Sequence, residues 1–67
     1  MTEYADAAAA RLSGHLFRHG IDVAVVVGLL QSWNTTRCQP PLPADELLRI
    51  VNRVAAAEAR RLERADG

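Results

Sequence analysis

Sixty-seven residues with a formal net charge of zero allow one small domain at most and exclude several functions at the outset. A balanced charge argues against a protein that holds DNA through bulk charge alone, and a single cysteine rules out an internal disulfide framework. The longest apolar run, Val23 to Leu30, is too short to cross a bilayer. Glu3 and Asp6 stand where a secretory leader would be basic, so a cytoplasmic protein with no membrane partner is expected. Every basic residue is arginine and none is lysine; the guanidinium fork suits phosphate and carboxylate and stacks on flat rings. In so short a chain, apolar burial at about 25 cal/mol per Å² barely offsets an ordering cost of roughly 1.5 kcal/mol per residue. Well-packed helices, or a partner that completes the core, are therefore expected.

The first predicted element is a helix over about residues 3–19. Ala5, Ala8, Ala9, Leu12 and Leu16 recur at helical spacing, and Tyr4 extends the stripe by a turn. Glu3 and Asp6 suit the positive end of the helix, and Arg18 and His19 its negative end. Gly14 costs up to about 1 kcal/mol against alanine, and a close helix crossing is one use for it. Gly20 is the expected stop, because glycine takes the left-handed conformation freely. Asp22 reads as the N-cap of a second helix over 22–33, with Ile21 as a hydrophobic staple. The run Val23-Ala-Val-Val-Val27 has strand propensity. Helix is still the reading, because Val23, Val26, Val27, Leu30 and Trp33 fall on one face and no second strand is available to pair with it.

Asn34 is the expected C-terminal cap of that helix, and Thr35 to Leu42 the expected loop. Gln39 is pushed toward extended backbone by the proline after it. Pro40-Pro41 stiffens the approach to Leu42, an anchor expected to turn inward. A third helix over 43–63 follows, with Pro43, Asp45 and Glu46 suited to its first turn. Leu47, Ile50, Val51 and Val54 form its core face. Beyond Ala57 the apolar pattern thins into Glu58, Arg60, Arg61, Glu63 and Arg64, and fraying is expected there. The fold class that results is all-α, a compact three-helix bundle with a Pro-Pro loop between the second and third helices.

No Ser-His-Asp order, glycine-rich phosphate loop or paired carboxylates occur, so no catalytic residue is assigned and an enzyme is not expected. His15, His19 and Cys38 lack an evident fourth ligand for zinc; no metal and no cofactor are expected. Asn34 suits either loop carbonyls or a nucleotide. Trp33 suits the core by its position, and a stacked base by its ring. Glu46 suits the backbone amides of its own helix start. Arg11, His15, Arg18, His19 and Arg37 are read as a cluster near the end of the first helix and the loop, opposed only by Asp22.

The run His15-Leu-Phe-Arg-His-Gly20, the segment Leu30-Gln-Ser-Trp-Asn34, Cys38-Gln-Pro-Pro-Leu42, and Glu46-Leu-Leu-Arg-Ile50-Val51 together resemble the small helical domain found at the C-terminal side of primases. The resemblance covers about Leu12 to Val54. Its motif positions here are Gly20, Asn34, Cys38, Pro40, Pro41, Leu42, Glu46 and Ile50. The chain departs from the family pattern in three places. The alanine-rich stretch Tyr4 to Ala10 replaces a Gly-x-Arg-Asn-like lead, Asn52 stands where serine is common, and Pro43 stands where a capping serine or threonine is common.

The resemblance implies a non-catalytic accessory module in DNA replication, of phage or plasmid type. Its partners would be a primase catalytic domain or a helicase, and it would position single-stranded template or an initiating nucleotide. The residues expected to bind nucleic acid are Arg11, His15, Arg18, Arg37 and Trp33, with Arg18 and Arg37 on phosphate. The alternative is a protein-interaction module, forming a homo-dimer or docking a replisome partner through Phe17, Val25 and Leu29.

Overall fold

The first helix, α1, spans Thr2–Arg18 and ends as glycine chemistry dictates. Gly20 has φ +77°, Gly20 N–H donates to Phe17 C=O (3.0 Å), and Ile21 N–H donates to Leu16 C=O (3.2 Å). This is the paired closure of a Schellman ending. Asp22 then starts α2, Val23–Arg37: its extended backbone turns the chain and its carboxylate accepts from Ala24 N–H. Four residues thus end one helix and begin the next, and α2 folds back along α1. The structure, a computed structural model, describes the backbone of residues 2–66 and the side chains of residues 4–64.

The second connection works differently. The expected helix over 22–33 continues one turn further, to Arg37, so Thr35, Thr36 and Arg37 are helix rather than loop. Asn34 lies inside the helix, buried; it is not a cap. Its side-chain amide donates to Leu42 C=O (2.8 Å) and its carbonyl accepts from Leu42 N–H (2.8 Å). One side chain therefore meets both backbone groups of Leu42, much as a neighbouring strand would. With Asn34 committed to the loop, the last turn closes through other groups. Cys38 N–H donates to Asn34 C=O (3.2 Å), and the hydroxyls of Thr35 and Thr36 donate to carbonyls of Gln31 and Ser32. Leu42 turns inward and is buried, as expected. The Gln39–Pro40 peptide is cis.

The third helix, α3, spans Ala44–Asp66, and its first backbone bond runs from Leu47 N–H to Pro43 C=O (3.0 Å). It continues through the tail expected to fray. Arg61 Nε donates to Glu58 Oε2 (2.8 Å), an i,i+3 pair absent from the sequence reading. Among the described residues the result is an all-α three-helix bundle measuring 42 × 21 × 17 Å, in which α3 packs more extensively on α1 than on α2. The core holds Ala9 from α1, Val26 and Leu30 from α2, Leu42 from the loop, and Leu47, Ile50 and Val51 from α3. Burying each of the larger aliphatic side chains stabilises the fold by about 1.5–3 kcal/mol.

Two expected core positions lie outside the core, and one residue that was not expected there lies within it. Tyr4 is 74% exposed and does not extend the stripe. Val23, in the first turn of α2, is exposed. Ser13, which the sequence reading passed over, is fully buried; its hydroxyl donates to Ala9 C=O (2.8 Å), which satisfies its polar atom within the helix. Gly14 is buried next to it. A Cβ there would lie 3.7 Å from Arg18 Nη1 and 3.8 Å from Val54 Cγ1. These are ordinary contacts, so the crossing at Gly14 does not require glycine.

Candidate nucleic-acid interface

The fold divides Arg11, Arg18, Arg37 and Trp33 between two grooves and leaves His15 outside the lining of both. The first lies between the second half of α1 and the second half of α3. Ala10 and Gly14 and, from α3, Val54 and Ala57 leave it open, while Arg11, Arg18, Arg61 and Arg64 line it. Small side chains at Ala10, Gly14 and Ala57 give the guanidinium groups room to reach across. The position of Arg18 Nη1 beside Gly14 puts its charge over the groove rather than away from it. Glu58 is the acidic residue of the lining. It bonds Arg61, which raises the Arg61 pKa above its ordinary value, first through the side-chain hydrogen bond and then through charge attraction. That bond fixes the Arg61 fork, and among the described residues no other carboxylate lines the groove to offset Arg11, Arg18 and Arg64.

Arg37 does not join them. Because α2 returns along α1, its C-terminal end reaches the beginning of α1, and Arg37 shares a second groove with Tyr4, Ala5, Ala8, Trp33 and Cys38. The expected single cluster of Arg11, His15, Arg18, His19 and Arg37 is therefore two groups at opposite ends of α1. Trp33 is half-buried, packing against the core on one side and lining this second groove on the other. His15 and His19 are exposed, with ring centroids 4.5 Å apart and planes tilted by 40°. Cys38 is buried at the other end of α1 from them. Among the described residues, no three histidine, cysteine or acidic side chains come together as a metal site.

The motif residues have structural places. Gly20 and Asn34 form the two joints already described. Cys38, Leu42 and Ile50 are buried, Pro40 and Pro41 are exposed on the loop, and Glu46 is half-buried in the first turn of α3. Among the described residues Glu46 makes no side-chain hydrogen bond to the amides it was expected to satisfy. Arg61 and Arg64, which line the first groove, were not among the residues expected from sequence. Their signal was present as an arginine at i and i+3 on one helix face, but only the α1–α3 packing puts that face beside Arg11 and Arg18.

Outside the grooves, α2 offers a surface of another kind. From Val23 to Thr36 it carries no charged residue, and Val25 and Leu29 are 51% and 48% exposed. Phe17, expected beside them, packs against the core instead. No helix among the described residues is long and apolar enough to cross a membrane.

Fold and surface together define a small all-α module with an arginine-lined groove. The family description "Primase C terminal 1 (PriCT-1)" matches residues 6–60, and the chain belongs to that family. No curated protein and no solved structure matches it. The match begins at Asp6 and thus takes in part of the alanine-rich stretch that lacks the expected lead.

Proposed function

We propose that this chain is a non-catalytic accessory module of a replication primase or primase-helicase in the cytoplasm, and that it holds single-stranded template beside a catalytic domain. The observation that carries this reading is the gathering of Arg11, Arg18, Arg61 and Arg64 around one α1–α3 groove. Arginine forks bind phosphate oxygens bidentately, and a groove lined by four arginines against one glutamate concentrates a polyanion although the chain as a whole is neutral. Membership of the primase C-terminal family supports the setting in replication. The module contributes binding and position; it makes and breaks no bonds.

Fluorescence anisotropy of an end-labelled oligothymidylate tests this. The reading expects saturable binding that Arg18→Ala and Arg61→Ala each weaken and that Arg53→Ala, outside the groove lining, leaves nearly unchanged. Binding that is absent, or equally indifferent to all three substitutions, overturns it.

A second reading, a protein-docking module, is favoured by the uncharged outward face of α2 around Val25 and Leu29. The two readings use different faces, so one module has room for both. Light scattering over a concentration series tests the homo-dimer form of this second reading, which expects a rising mass that Leu29→Lys abolishes.

A further inference from the structure

The arginine groove does not account for the groove at the other end of α1. Tyr4, Arg11, His15 and Arg18 are all exposed, and their spacing of seven, four and three places them along one outward face of the helix. That face runs from one groove to the other over about 21 Å, at 1.5 Å per residue. At the Tyr4 end, the second groove has a volume of about 690 Å³ and is lined by Tyr4, Ala8, Trp33, Arg37, Gln39 and Pro40, among others.

The geometry points to this second groove as the seat of one unstacked nucleobase of the strand whose phosphates lie on Arg11 and Arg18. The inference rests on the reading of the arginine groove as a strand site and names what that strand does beyond it. The volume falls within the range of about 300–1,000 Å³ found for small-ligand sites, enough for a base with its sugar. Trp33 supplies a flat indole face held on its other side by the core, and base stacking on such a face is tolerant of sequence. Gln39 is exposed and offers an amide donor and acceptor for a base edge. Among the described residues of the lining, Arg37 is the one that carries a charge, and none is a carboxylate. A bare apolar side chain from a protein would use the indole but leave Gln39 and Arg37 idle, and it would have no reason to follow the cationic face of α1.

The test uses the 67-residue chain and two probes of equal charge: an oligothymidylate, and the same strand with abasic sites throughout. Trp33 is the sole tryptophan, so its emission reports the second groove directly, while anisotropy of a label on the strand reports binding at any site. The expected result is that both strands bind, that only the base-bearing strand quenches Trp33, and that it binds about tenfold more tightly, within the usual contribution of one stacked base. Tyr4→Ala, at an exposed position, should reduce that preference while leaving abasic binding nearly unchanged, whereas Arg37→Ala, which removes a cation, should weaken binding of both strands. Equal binding of the two strands with Trp33 emission unaltered overturns the base seat and leaves the arginine groove standing. Failure of both strands to bind overturns the strand reading itself, and the base seat with it.

Discussion

Two surfaces of this bundle differ more sharply than its composition would allow one to guess. The α1–α3 groove gathers four arginines, whereas the outward face of α2, on the opposite side, carries no charge from Val23 to Thr36. The overall charge of zero is the sum of unlike regions rather than a uniform mixture. Net charge thus excludes binding by bulk attraction but is silent about a local track, because within a Debye length of about 8 Å the neighbouring charges decide the field. The difference also separates the two readings of function: the groove suits a polyanion, and the neutral helix face suits a protein.

The largest expected effect comes from removing the joint that holds both surfaces in place. Asn34→Ala leaves the N–H and C=O of the buried Leu42 without partners and should cost roughly 2–4 kcal/mol in a urea melt. Both surfaces would then be lost together, so DNA binding should fail only in step with unfolding. Replacing Arg18 and Arg61 together by alanine should separate the surfaces instead. Affinity for single-stranded DNA should fall about a hundredfold, near tenfold for each charged contact, with little change in the melt.

Smaller effects sharpen the same contrast. Gly20→Ala puts a side chain into a left-handed position and should lower stability by about 1 kcal/mol. Gly28 is exposed in the middle of α2 with nothing within 4 Å of a new Cβ. Gly28→Ala should therefore raise stability by about 0.5–1 kcal/mol without touching DNA affinity. Smallest of all, Val25→Lys with Leu29→Lys should change the melt by no more than about 0.5 kcal/mol. If that pair weakens DNA binding, the division of labour between the faces is wrong.

What was legible in the sequence follows the range of the interactions. Gly20 and Asp22 act on their own backbone neighbours, so the α1–α2 joint was readable residue by residue. The alternating burial of Val26, Leu30, Leu47, Ile50 and Val51 followed from helical period alone. The α2 end was misread because Asn34-Thr35-Thr36 has the composition of a cap and loop. The decisive bond of Asn34 goes to Leu42, eight residues on, and frees the backbone to remain helical as far as Arg37. The α3 tail was expected to fray because its apolar stripe thins, yet the Glu58–Arg61 pair supports the turn there. For the site, Arg11 and Arg18 were readable as candidates, but their company was not. Arg37 was placed with them by nearness to a loop, and antiparallel packing takes it to the other end of α1. Arg61 and Arg64 enter only through the contact between α1 and α3.

The measurement that bears most directly on the arginine groove is the salt dependence of oligothymidylate affinity, compared between the unsubstituted chain and Arg18→Ala/Arg61→Ala. Phosphate contacts release counterions, so log affinity should fall linearly with log salt at about 0.7 per contact on a single strand. The double substitution should make this slope shallower by about 1.4, two contacts' worth. A slope unchanged by the loss of both arginines would contradict it.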